Sequence, residues 1–491
     1  MKYLFAFLML AVCSSSLAQY SLKTDSVYIS GKVNNFEKYK GPAMPVMFLI
    51  NDIARGDYVY IPAEIKSDGT FHTSFLKTGT EDIYIQYDND TGTIIVSPGD
   101  HMQLTFDIPD VAQSLSVKGD GERVNNDLKE YHVAVTKQRV MLYGDDKAGR
   151  SKRLAAAEKN DGPGLHKLVL ASRYTLDSAF LAGYIKQHRV TKTFISWEKT
   201  QLLYEYFTNL LRYAWLNPMY NSLSHVDLIL PADYYDFTKT AAIGPEFTIC
   251  SNFNGYCSEY FRYFLTSNLG MPRNVKDEIV FGLKQPVGFN RDILLCNTAY
   301  SLIKSKHLDL LAPYFEQIMA SISNVGYKNN IQGAYREAEN KLKNYKLPEN
   351  AHINETPKTS TDSLFDKLVA KYPGKTIYLD FWATWCNPCR TEMPESKALR
   401  NKFANKDIVF VYLGVESDEN TWKSVIAELD MEGENFLLNK NEYAALAEKF
   451  KVNGIPHHVL VNKKSVVVDD NAKPPGDEKL TPEIEALLAE K

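Results

Sequence analysis

The spacing of apolar residues changes twice along this chain of 491 residues, and those changes limit its possible folds more than any other feature. From about Ser26 to Asp107, short segments such as SVYISGKV, DYVYIPAEI, DIYIQY and MQLTF carry the alternation of strands buried on one face. Turn signals, among them Asp68-Gly69 and Pro98-Gly99-Asp100, separate several of them at intervals typical of a β-sandwich. From about Gly121 to Tyr345 the period becomes helical, as in VNNDLKEYHVAVTKQRVMLY and FISWEKTQLLYEYFTNLLRYAWL. Residues 346–363, KLPENAHINETPKTSTDS, are polar, unpatterned and proline-bearing, and are read as a linker. After them helix and strand patterns alternate. SLFDKLVAKY, strand TIYLDFW, a helix from about Asn387 to Phe403, strand IVFVYLGV, helix ENTWKSVIAEL, a short strand near NFLL, helix EYAALAEKF, strands HHVLVN and SVVVD, and a last helix follow one another. Such alternation predicts a mostly parallel sheet covered by helices on both faces, with the last two strands forming a hairpin around Lys463 and Lys464.

The chain is therefore expected to be multidomain: a leader over residues 1–18, an all-β sandwich-like domain over 19–112, a helical domain over 113–350 and an α/β domain over 351–491. The leader reading rests on Lys2, an apolar run from Tyr3 to Val12 and a small-residue exit ending at Ala18. It predicts export to a periplasm or cell envelope. LAVCSSS also resembles a lipoprotein cleavage site, which would anchor the chain through Cys13, although Val12 is bulkier than such sites favour. A formal net charge of −4 with no basic cluster argues against a nucleic-acid partner.

Cys386 and Cys389 stand three apart where a strand pattern meets a helix pattern. A strand that delivers Cys386 to a helix N-terminus puts its sulfur beside unpaired N–H groups and the positive end of the helix dipole, which favours the thiolate. The thiolate is the form that attacks a disulfide, and Cys389, one turn deeper, faces it and resolves the mixed disulfide. Pro388 suits the first helical turn, where its missing N–H breaks no hydrogen bond. A purely stabilising bridge is the alternative, but across two intervening residues it closes almost no loop and removes little entropy from the unfolded chain. Zinc is another. It needs four ligands, and of His457 and His458, adjacent on a strand, only one can face the site. No metal and no cofactor is expected.

The run DFWATWCNPCRTEMP, Asp380 to Pro394, resembles the active-site segment of thioredoxin-like thiol-disulfide oxidoreductases, and NGIPHHVLVN, Asn453 to Asn462, resembles the segment that carries their cis-proline. Within that family it looks closest to the TlpA-like group of bacterial envelope enzymes. The resemblance covers the C-terminal domain and implies a thioredoxin fold; to the preceding β and helical regions, weakly similar to Bacteroidetes members, it assigns no chemistry. It implies that Pro456 is cis and that the backbone of Ile455 pairs with an extended substrate segment. It also implies that Trp385 shapes the docking surface, that Asn387 and Pro388 help set the redox potential, and that Asp380 accepts the proton of Cys389. Asp380 sits in a strand apolar on both faces, so desolvation should raise its pKa; an ion pair with Lys375 or a structural hydrogen bond is the bland alternative. His457 stands where the family more often has Thr. The function implied is reduction of disulfides in envelope proteins, with a membrane thiol donor regenerating the dithiol. A thioredoxin-fold peroxidase, and a ligand- or partner-binding envelope protein whose dithiol only senses redox state, are the competing readings.

Three further cysteines carry no partner motif. Cys250 and Cys257 flank SNFNGY, where Asn254-Gly255 is read as a turn able to bring them together, and an oxidising compartment leaves a bridge or two buried thiols equally open. Cys296, in DILLCNTAYSLI, is read as core.

Overall fold

The computed structural model describes residues 23–38, 44–108, 110–144, 159–222, 228–270, 274–358 and 360–490. The leader and Cys13 lie outside them. The described residues pack as two compact units divided between residues 272 and 273.

The first unit opens with eight strands, β1 (Thr24–Val33), β2 (Val46–Asp52), β3 (Asp57–Ala63), β4 (Thr70–Thr78), β5 (Glu81–Tyr87), β6 (Asp90–Val96), β7 (His101–Phe106) and β8 (Ser116–Gly119). They form two four-stranded sheets, in the orders β4-β1-β7-β8 and β3-β2-β5-β6. Alternate residues of both sheets, among them Val27, Phe48, Phe71, Ile85, Leu104 and Phe106, meet in one core, as the two-residue period requires. Asp68-Gly69 makes the turn its sequence announced. Gly69 has φ +81°, and a Cβ there would come within 2.8 Å of the Val33 carbonyl oxygen, so only glycine fits.

Among the described residues, four long helices follow in this unit: α1 (Glu122–Tyr143), α2 (Pro163–Gln187), α3 (Lys192–Tyr220) and α4 (Ser251–Leu269). The start of α4 is tied to β5, where buried Asp82 accepts hydrogen bonds from Ser251 N and Ser251 Oγ, both at 2.7 Å. A carboxylate at that position also faces the positive end of the helix dipole. Here the structure corrects the sequence reading. Asn254-Gly255 is not a turn; both residues lie inside α4, because Phe253, Tyr256 and Phe261 recur at helical spacing and their burial outweighs the local turn preference. Cys250 and Cys257 are buried thiols rather than a bridge, and Cys296 is buried as well.

The second unit holds α5 (Val275–Leu283), α6 (Phe289–Lys304) and α7 (Val325–Lys343), then a six-stranded sheet with its own helices. The strands are β9 (Ala351–Asn354), β10 (Thr376–Trp382), β11 (Ile408–Gly414), β12 (Gly433–Leu437), β13 (His457–Val461) and β14 (Val467–Asp469), in the order β14-β13-β10-β11-β12-β9. β10, β11, β12 and β9 run parallel to their neighbours; β13 lies antiparallel to β10 and β14 antiparallel to β13, which is the expected terminal hairpin. β9 is the second correction. It falls in the segment read as linker, yet Ala351 and Ile353 pair along β12 and pack on the core. Four residues with two modest apolar side chains are too short a pattern to rise above the prolines around them.

Helices α8 (Leu364–Val369), α9 (Asn387–Lys402), α10 (Glu419–Glu428), α11 (Lys440–Lys449) and α12 (Leu480–Ala489) cover the sheet. All seven residues of β10 are buried, the signature of a central strand covered on both faces. The α6 to α7 region packs against α10: Thr421 Oγ1 donates to Lys306 O and Ser424 Oγ donates to Lys341 O, each at 3.2 Å. Helix α11 begins with a capping box in which the Asn439 side chain accepts from Glu442 N at 3.1 Å and the Glu442 carboxylate accepts from Asn439 N at 2.8 Å. Asn439→Ala is expected to lower stability by about 1 kcal/mol and Asn439→Asp to be nearly neutral, read as urea midpoints. Equal midpoints for all three chains would remove the cap from the account.

Candidate active site

The site forms where β10 ends. Trp382 is fully buried, the chain turns through residues 383–385, and Cys386 becomes the N-cap of α9. Its sulfur accepts a hydrogen bond from Cys389 N at 3.2 Å, the place a Ser or Asp side chain fills in an ordinary cap. Asn387 and Pro388 occupy the exposed first turn. Cys386 and Cys389 are joined by a disulfide, with Cα atoms 5.3 Å apart, and both are nearly inaccessible to solvent. Further along, Pro394 is accommodated inside α9.

The Ile455-Pro456 bond is cis, and Ile455 O lies 3.7 Å from Cys386 Sγ. Residues almost seventy positions apart in sequence thus meet at one sulfur. Trp385 is 39% exposed, and its indole N–H donates to Glu416 O at 3.1 Å. Arg390, next to Cys389, is engaged by Glu428 at 3.0 Å, and Glu428 also pairs with Lys306 at 3.3 Å.

Below the dithiol lies a polar layer between α9 and the sheet. Asp380 stands opposite His458 in the β10/β13 register and opposite Tyr412 in the β10/β11 register, so the three share one sheet face. His458 Nε2 is 3.6 Å from Asp380 Oδ1 and 3.4 Å from Glu392 Oε2. Burial pushes the Asp380 carboxyl up to about 6; His458 and Arg400 oppose that, and Glu392 adds to it. Desolvation pulls the His458 imidazole down, but Asp380 and Glu392 together outweigh it, and its pKa is raised. Lys375 does not partner Asp380; it pairs with Asp407 at 2.8 Å. His457 points to the opposite face, edge-on to Phe381 with ring centroids 5.9 Å apart.

Cys386, Cys389, Ile455 and Pro456 are therefore brought together, Asp380 lies buried on the sheet face under α9, and Trp385 stands at the exposed lip. Sequence reasoning passed over Glu392 and weighed His458 only as a metal ligand. The signal for Glu392 was its place three residues after Cys389 on one helical face; that for His458 was the cross-strand register, which no local pattern announces. Among the described residues, no group of three or more His, Cys, Asp or Glu side chains is placed to hold a metal ion.

Residues 374–467 match a thioredoxin-like family model. The thiol-disulfide oxidoreductase ResA of Bacillus cereus is 28% identical over 96 residues, 20% of this chain and 54% of the relative. The thioredoxin-like protein YneN of Bacillus subtilis is 33% identical over 96 residues, 20% of this chain and 55% of the relative. Among solved structures, a thiol:disulfide interchange protein from Bacteroides sp. aligns at 26% identity and TM-score 0.23, covering 25% of this chain and 78% of that one. The thioredoxin domain of a thiol-disulfide oxidoreductase from Bacteroides vulgatus aligns at 25% identity and TM-score 0.23, covering 24% and 84%. The chain spans about half the length of the curated relatives it matches. Its C-terminal region carries a thioredoxin-like domain.

Proposed function

We propose that this thioredoxin-like domain makes the chain a thiol-disulfide oxidoreductase that reduces disulfides of proteins in the cell envelope. The observation that carries the reading is the Cys386–Cys389 disulfide at the N-terminus of α9, packed against Ile455-Pro456. In the reduced enzyme the Cys386 thiolate attacks a substrate disulfide, forming one S–S bond and releasing one substrate thiolate. Cys389 then loses its proton to Asp380 and attacks Cys386 Sγ; the Cys386–Cys389 bond forms and the second substrate sulfur leaves as a thiolate. Two electrons pass to the substrate, and a membrane thiol donor restores the dithiol. The backbone at Ile455 would pair with an extended substrate segment beside Cys386, and Trp385 would supply apolar docking area. Asn387 and Pro388 occupy the turn whose geometry tunes the potential.

Export rests on the leader-like residues 1–18, and anchoring through Cys13 is the variant of it that their sequence allows. Among the described residues no helix is long and apolar enough to cross a membrane. The test is dithiothreitol-driven reduction of insulin by the full chain. Turnover above the rate with dithiothreitol alone supports the enzyme; a rate equal to that background overturns it and favours a binding protein with a redox-sensing dithiol.

A further inference from the structure

The polar layer under α9 has more charge than one catalytic acid needs. Cys389, Glu392, Ser396 and Arg400 follow one another along a single helical face, above the sheet row His458, Asp380 and Tyr412. Arg400 donates to Tyr412 Oη at 2.5 Å and to Asp430 O at 2.9 Å, and Ser396 Oγ shares a 2.7 Å hydrogen bond with the same Tyr412 oxygen. The guanidinium is thus held at the far end of the row. Among the described residues, the ion-pair partner of both Asp380 and Glu392 is the imidazole of His458.

Asp380 is fully buried and Glu392 stands half-buried beside it, and a buried carboxylate next to a second one stays ionised only where cations match the pair. Arg400 supplies one positive charge, and a protonated His458 supplies the second. The Tyr378 ring stacks on the imidazole, with centroids 5.4 Å apart at 15°, and fixes its plane. The remaining titratable neighbours, Tyr378 and Tyr412 in the layer and His457 behind the strand, add no anion to compete for it.

We propose that His458 is a positioning residue of the resolving step: its protonated imidazole bridges Asp380 and Glu392, keeps Asp380 ionised at neutral pH, and so sets the pH at which Cys389 can give up its proton. This rests on the dithiol reading above and adds to it a group that touches neither sulfur nor substrate.

Nitrogen NMR of the imidazole in the unsubstituted chain gives the first test. His458 is expected to be protonated at pH 7, and a neutral ring there overturns the proposal without reference to activity. In His458→Gln, the carboxyl titration of Asp380, followed by carbon NMR, is expected to move upward by roughly one pH unit or more, and the acidic limb of mixed-disulfide resolution with it. Adding Glu392→Gln removes the carboxylate that the imidazole balanced, and the carboxyl titration is expected to return toward its original midpoint. A midpoint unmoved by His458→Gln overturns the proposal. A chain that fails to reduce insulin while His458 and Asp380 titrate as expected removes the oxidoreductase reading and leaves the charge balance standing.

Discussion

A reduced Cys389→Ser chain, given a protein disulfide, is expected to stop halfway and accumulate a mixed disulfide through Cys386. The first attack needs only the Cys386 thiolate, which the N-terminus of α9 and the Cys389 N–H favour. The second needs a thiol already in place. In the proposed mechanism Cys389 is an intramolecular nucleophile at an effective concentration that millimolar dithiothreitol does not approach, so insulin turnover should fall by about a thousandfold or more. Cys386→Ser should form no adduct at all. The other thiols make poor substitutes, because burial pushes Cys250 and Cys257 well above the ordinary range for a cysteine. Full turnover by Cys389→Ser, or adducts that persist in Cys386→Ser, would show that the mechanism runs through a different sulfur.

Strand β10 shows how far the sequence reaches into this site. Its unbroken apolar character around one acid announced a central strand with a desolvated carboxylate, and all seven residues are buried with Asp380 pushed up to about 6. The dithiol was legible because helix capping is local: a residue, its neighbour three positions on and a proline between them lie within one turn. What faces Asp380 was not. The pairing of His458 with Asp380 depends on the register of β13 against β10, fixed by packing across nearly eighty residues. Cys250 and Cys257 show the reverse failure, a local turn signal overruled by the aromatic face of a helix docked on β5. Local chemistry reads directly from the chain; partners supplied by strand register or helix docking do not.

Asp380→Asn is expected to stabilise the protein above pH 6 while slowing the enzyme. The folded carboxyl holds its proton up to about pH 6, against an ordinary value of 3.8 in the unfolded chain. Folding therefore binds a proton more tightly at this site, and the stability this contributes is complete below pH 3.8 and is lost as pH rises through 6. At neutral pH the buried anion then costs roughly 3 kcal/mol relative to a neutral side chain of the same shape. Asparagine removes that cost, so the urea midpoint of the variant should exceed that of the parent at pH 7.5, and the two should converge near pH 4. Asparagine also has no basic oxygen to take the proton of Cys389, and resolution of the mixed disulfide should slow by roughly a hundredfold at pH 7.5, the usual range for loss of a general base. The two effects have opposite signs and one cause. Parallel urea midpoints across this pH range would mean that Asp380 titrates as an ordinary carboxyl. Equal resolution rates would mean that another group, with Glu392 one helical turn from Cys389 the next candidate, takes the proton instead.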